Sequence, residues 1–202
     1  MRENWEKEKN NSMQRGFKTN AESSACELRS ELGLAAHSPL AAKRLLTHLE
    51  VPVVEPRSIP GLRSEVVHEM LNGSSKRWSA VTIYNASGRP FIIHNPEHAP
   101  TRQESDLMHE AAHIICKHPP GKIVRVGELS FRSYDAGHEE EAKWLGACLQ
   151  ITRQGLLWAI GRGMTIEQMA EHFCASAAQV RYRRNVTGVD VQMNRFRQAS
   201  RW

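Results

Sequence analysis

Residues 106–118 read DLMHEAAHIICKH, and within them His109, Glu110 and His113 form the pattern H-E-x-x-H. Positions four apart on a helix share a face, with Cβ atoms roughly 5–6 Å apart, so two imidazoles there can converge on one ion at Zn–N bonds of about 2.0–2.1 Å. Glu110 is turned about 100° further around the axis. Its carboxylate can approach a water on the ion without ligating the ion. It then acts as general base while the ion lowers the pKa of that water, and the hydroxide attacks a carbonyl. The competing interpretation is two core histidines and a surface glutamate. In a chain with ten histidines the pattern arises by chance on the order of one time in twenty, so it is suggestive alone.

A catalytic zinc site normally has three protein ligands and a water. The segment GHEEEAKWLGACLQ offers the third. Its inward stripe should be Ala142, Leu145, Gly146 and Leu149, at helical spacing. Extended back by one turn, the stripe arrives at His138 and Glu139, leaves Glu140 outside and puts Glu141 at its margin. Glu139 is therefore the best-placed carboxylate and His138 its nearest competitor. Ala142 and Gly146 are small enough to let this helix come close to the H-E-x-x-H helix. An acidic first turn complements a helix dipole in any protein, and it is the company of H-E-x-x-H that favours a ligand here. His68, His94, His98 and His118 lack a comparable pairing and read as surface or structural residues, while Cys116 reads as a small buried hydrophobe.

The elements that must position these groups follow from periodicity and turn chemistry. The H-E-x-x-H helix should begin with Thr101 as cap and Glu104 completing a capping box, and end at HPPG, where Pro119 and Pro120 cannot continue it. Its stripe of Leu107, Ala111, Ile114 and Ile115 faces a core. Ahead of it, WSAVTIYN and RPFIIHN flank ASG, a hairpin in which Gly88 supplies a positive φ. Two earlier helices are expected in AESSACELRSELGL and SPLAAKRLLTHLEV, the second capped by Ser38 with Pro39 in its first turn. VPVVEPRSIPGL is a connection or short edge strand. KIVRVGELSFRSYD suggests one or two strands bent at Gly127. Three further helices are expected at Gly137 to Arg153, Thr165 to Cys174 and Ser176 to about Thr187, with a Thr165/Gln168 capping box and Ser176 as a cap.

At 202 residues and 40% hydrophobic content, the chain can bury one real core with a small helical addition. The expected division is a polar, disordered tail over 1–22, a metal-site domain over 23–160 that includes the two early helices, a helix-turn-helix-like unit over 161–189, and a basic tail over 190–202. No apolar run approaches a membrane span and no signal peptide is visible, so a soluble, cytoplasmic protein without a membrane partner is expected. Cys26, Cys116, Cys148 and Cys174 are scattered and read as reduced thiols. Arg181, Arg183, Arg184, Arg195, Arg197 and Arg201 face only Asp190 in balance, which suits an acidic partner or nucleic acid, or else a solvated helix face.

RQESDLMHEAAHIICKH, followed by EEEAKWLGACLQITRQGLLWAIGRGMTIEQMAEHFCASAAQVRYRRNVTGV, resembles the ImmA/IrrE family of bacterial and phage metallopeptidases. In that family the H-E-x-x-H helix is followed by a helix of the form E-x-(E/Q)-A-(N/D)-x-(F/L), whose first glutamate completes the metal site. The pattern falls on Glu139, Glu141, Ala142 and Leu145, in agreement with the stripe. The likeness covers about Trp78 to Val189 and reaches the early helices more loosely. Lys143 departs from the usual Asn or Asp, and Ile151-Thr152 from the usual hydrophobic residue and proline.

The resemblance implies an α+β, zincin-like core, with a small sheet and hairpin packed on the H-E-x-x-H helix, followed by helix-turn-helix-like helices. It implies a metallo-endopeptidase holding Zn2+, with Mn2+ as the alternative, on His109, His113 and Glu139, with Glu110 as base. It also implies a protein substrate, a helix-turn-helix repressor of phage, mobile-element or stress genes. DNA is the secondary candidate partner, through Arg181, Arg183 and Arg184. The oxyanion partner is not singled out, and His172 and Tyr182 are the candidates. The rival function is a regulator that binds DNA or a repressor without proteolysis, its metal site structural or vestigial. A helical interaction module without metal is the third reading.

Overall fold

The computed structural model describes residues 13–72, 78–119, 122–126, 129–133 and 135–199. The elements in order are α1 (Phe17–Glu31), α2 (Ala42–His48), β1 (Val53–Val54), α3 (Ser64–Asn72), β2 (Ala80–Tyr84), β3 (Pro90–His94) and α4 (Pro100–Ile115). They continue with β4 (Lys122–Val126), β5 (Leu129–Ser133), α5 (Ala136–Gln150), α6 (Arg153–Gly161), α7 (Ile166–His172), α8 (Ala177–Thr187) and α9 (Val189–Ala199). The architecture is α+β, as expected. β3 is the centre of a three-stranded sheet, with β1 parallel on one side and β2 antiparallel on the other. Gly88 turns the β2–β3 hairpin at φ 77°, and the Asn85 side chain accepts the N–H groups of Ser87 and Arg89 to close it. β4 and β5 form a separate antiparallel pair. Gly127, the expected bend, lies outside the described residues.

The helix α4 is the hub. It packs on α5, on α2 and on the β2–β3 hairpin. Leu107, Met108, Ala111 and Ala112 are buried on it, and they join Ala25, Leu45, Leu46, Ile92, Ala142, Leu145 and Leu149 in one core. A second cluster, with Ile151, Leu156, Met169, Phe173, Val180 and Val189, lies within the helices that follow α5. Thr152 separates the two: its Oγ1 accepts the Gly155 N–H at 2.9 Å and starts α6, so the long helix expected to reach Arg153 ends at Gln150. Neither α6 nor α3 was distinguished from sequence.

Several local expectations are corrected. Thr101 does not cap α4, because Pro100 occupies the first turn, where its missing N–H costs nothing, and the cap falls on Ala99, two residues earlier. Glu104 is thereby released, and it accepts the Ala42 N–H at 2.7 Å, satisfying an orphan donor at the start of α2. Ser38 and Pro39 precede α2, and the Ser38 carbonyl accepts Nε–H of buried Arg29 at 3.1 Å. The stretch 1–22 is not all tail: α1 begins at Phe17, and Ala21 is buried. Residues 190–199 are helical as well, with Val189 buried and Met193 packed against the second cluster.

Helices α7 and α8 have the expected caps, a Thr165/Gln168 capping box and Ser176 accepting the Gln179 N–H. Two of the three arginines assigned to partner contact nevertheless point elsewhere. Arg183 has no exposed surface: it pairs with Glu22 at 2.5 Å and donates to the Ile151 carbonyl at 2.9 Å. Arg184 pairs with Asp190 at 2.6 Å. A guanidinium can be buried only against a carboxylate and carbonyls, so Arg183 clamps α8 to α1 and to the end of α5. Of the three, Arg181 stays exposed, 3.8 Å from Glu167.

Candidate metal centre

His109 and His113 lie one turn apart on α4, both half-buried, with Nε2 atoms 3.1 Å from each other. Glu139, in the first turn of α5, faces them both. Its Oε2 is 3.4 Å from His109 Nε2 and its Oε1 is 3.4 Å from His113 Nε2. What brings α5 this close is Gly146. A methyl group placed there would sit 3.1 Å from both the His109 Cα and the Met108 carbonyl oxygen. The small residues expected to allow close approach therefore do so at the backbone of the first imidazole.

The donor set fits a tetrahedral ion. Bonds of about 2.05 Å at tetrahedral angles put neighbouring donors about 3.3 Å apart, and the three separations here are 3.1, 3.4 and 3.4 Å. Among the described residues, these three make a group of ligand atoms that all lie within 4.8 Å of one another. His138 is not in it. Its ring stacks on His118 at 4.4 Å, and its Nδ1 is 3.9 Å from Asp135, the N-cap of α5.

Glu110 is set apart from the three, as its position on the helix requires. Its Oε2 accepts two hydrogen bonds from Thr82, from the backbone N–H at 2.9 Å and from Oγ1 at 2.5 Å. Since β2 is an edge strand, the Thr82 N–H can point away from β3 and toward α4. Burial holds the Glu110 carboxyl above its ordinary range, while the Thr82 hydroxyl, the neighbouring His109 and the Thr82 N–H act in the opposite direction. Burial likewise pushes His113 down to about 4, with His109, His118 and His138 adding to the effect. A neutral imidazole is the form that can bind a metal.

Two further residues contribute to the site, Thr82 and His118. Thr82 is one of several alternating residues in a short strand, with no local mark of its contact. His118, assigned to the surface or to structure, is buried. Its Nδ1 lies 3.0 Å from His113 Nδ1, and its Nε2 lies 3.1 Å from Glu141 Oε2. No local mark announces it, because the left-handed residue that closes α4 and folds His118 back over the last turn is Lys117 rather than the glycine such caps usually carry. The oxyanion candidates separate as well. His172 is engaged by the His37 carbonyl at 3.0 Å and stacks near Trp158. Tyr182 lines a cleft of about 360 Å³ together with Ser105, His109, Lys143, Gly146 and Gln179.

No helix among the described residues is long and apolar enough to cross a membrane. No curated protein matches the chain. A family model described as Peptidase_M78, IrrE N-terminal-like domain, matches residues 66–185, which take in most of α3, the β2–β3 hairpin, α4, β4 and β5, α5 and the helices through most of α8. With more than half of its length matched, and with an H-E-x-x-H helix facing a glutamate across a close helix contact, the chain belongs to the IrrE N-terminal-like, metallopeptidase-type family.

Proposed function

We propose that the protein is a metal-dependent endopeptidase of the cytoplasm that cleaves a helix-turn-helix repressor. The observation that carries the reading is the triangle of donors on His109, His113 and Glu139, with a half-buried carboxylate, Glu110, beside it. Zinc is the proposed ion, since two imidazoles and one carboxylate with room for a water form a common zinc hydrolase set, and manganese is the alternative. When bound, the ion supplies Lewis acidity and lowers the pKa of a water.

The protein's own groups do the rest. Thr82 occupies Oε2 of Glu110, which leaves Oε1 to take the proton from the attacking water. The raised affinity of this buried carboxyl for protons lets it hold that proton and deliver it to the leaving amine. The cleft between α4, α5 and α8 runs past His109, and Lys143 gives it a positive charge that suits an acidic stretch of substrate. Tyr182 lines the same cleft and is the better placed of the two oxyanion candidates.

The test is Glu110→Gln. Purified wild type and variant are analysed for zinc, then incubated with the helix-turn-helix repressors encoded near the gene. The variant is expected to keep its zinc and lose cleavage. Cleavage at the wild-type rate would remove Glu110 from the role of base. A wild type that represses or relieves repression without cutting, and keeps doing so after His109→Ala, would favour the non-proteolytic regulator.

A further inference from the structure

We propose that His118, held by Glu141, is a positioning residue that fixes the His113 ring with Nδ1 protonated and the Nε2 lone pair turned to the metal. The proposal deepens the reading of His109, His113 and Glu139 as metal ligands and rests on it.

The Glu141 carboxylate can only accept, so the 3.1 Å contact from its Oε2 to His118 Nε2 places a hydrogen on that nitrogen. A neutral His118 then carries a bare Nδ1. That atom lies 3.0 Å from His113 Nδ1, and one hydrogen must lie between the two. It belongs to His113. With Nδ1 protonated, neutral His113 has its lone pair on Nε2, the atom that sits 3.1 Å from His109 Nε2 and 3.4 Å from Glu139 Oε1. The opposite arrangement, with His118 donating, would put a hydrogen on His113 Nε2 and point it into the donor triangle.

The backbone makes this placement a product of how α4 ends. Lys117 adopts φ 55°, and the His118 N–H returns to the His113 carbonyl at 3.0 Å. This is the six-to-one bond of a Schellman cap, in which an apolar contact usually joins the same two positions. Here the contact is between two imidazoles. His118 is further confined by its stack on His138 at 4.4 Å, and Glu141 also accepts the Gln14 N–H at 3.4 Å. With side-chain exposures of 5% and 15%, His118 and Glu141 leave little room for water to take over either bond.

Two measurements on the whole chain test the assignment. Long-range 1H–15N correlation spectra of metal-free wild type should show His113 protonated on Nδ1 and His118 on Nε2. The reverse tautomer of His113 would overturn the proposal, whatever the metal affinity. Zinc affinity is then measured by chelator competition in wild type, His118→Phe, Glu141→Leu and Glu141→Gln, with far-UV circular dichroism as a check on folding. His118→Phe and Glu141→Leu are expected to bind zinc about 10–100-fold more weakly. Glu141→Gln, whose amide oxygen can still accept from His118, should recover most of the affinity. Wild-type affinity in a folded His118→Phe would sink the proposal. Failure of wild type itself to bind zinc would instead strike at the metal-ligand reading. If His118→Phe does not fold, the Glu141 pair and the wild-type spectra decide.

Discussion

Gly146→Ala tests the contact on which the proposed metal centre depends, and two opposing effects give it an informative sign. The added methyl would lie 3.1 Å from the His109 Cα, 3.1 Å from the Met108 oxygen and 3.2 Å from the His109 nitrogen. Optimal carbon contacts are about 3.5–4.0 Å, and all three neighbours are backbone, so the helices must separate by several tenths of an ångström. Overpacking of this kind costs about 1–3 kcal/mol, against a gain of up to about 1 kcal/mol from replacing a helical glycine. The net expectation is a loss of about 0–3 kcal/mol in a urea melt of the metal-free protein. Metal binding should suffer more. His109 sits at the contact, and ligand distances tolerate only about 0.2 Å, so zinc affinity should drop by at least about tenfold in chelator competition. Gly161→Ala is the control, because its methyl would meet only Met193 Cε at 4.0 Å and should stabilise by a fraction of 1 kcal/mol. If Gly146→Ala were more stable than wild type and bound zinc equally well, the close approach would not be what sets the ligand geometry.

Arg183→Met should cost about 3–5 kcal/mol, read by thermal or urea unfolding, because it leaves Glu22 without its buried partner; adding Glu22→Gln should restore part of the loss. Lys117→Gly relieves a left-handed lysine and should raise stability by roughly 0.5–1 kcal/mol in the same melts, with His118 still in place. The metal-free protein should lose stability as pH falls. His113 is held neutral down to about 4 when folded, against 6.5 as its ordinary value, so the unfolded chain binds the extra proton first. The stabilisation is present in full above about pH 6.5, and is lost as pH falls toward 4, by an amount on the order of 3 kcal/mol. A melt series flat between pH 7 and 4 would contradict it. Alkylation at pH 8 should label exposed Cys174 well before Cys148 and Cys116, whose thiols are pushed up to about 12 and about 11 by burial.

What could be read from sequence was local. H-E-x-x-H fixes two imidazoles on one face because helix geometry alone determines what four residues of spacing means. The hairpin at Gly88, the capping box at Thr165 and the cap at Ser176 were legible for the same reason, since each is decided within a few residues. The inward stripe of α5 was legible from its period, and it separated Glu139 from Glu140.

Everything that required two distant segments to meet was not. The stripe already favours Glu139 over His138, but its approach to within 3.4 Å of both imidazoles depends on how α5 lies across α4, which Gly146 sets through a backbone contact. Glu104 looked like a capping residue of its own helix and instead serves α2, because Pro100 had already started α4 without it. The basic stripe of α8 looked like a partner surface by composition, yet Arg183 turns inward because Glu22, far away in sequence, waits there with a carboxylate. Thr82 reaches Glu110 from an edge strand, and Glu141 reaches His118 from the next helix, through pairings that no periodicity encodes. Periodicity tells which way a side chain faces on its own element. Only packing tells what it meets there.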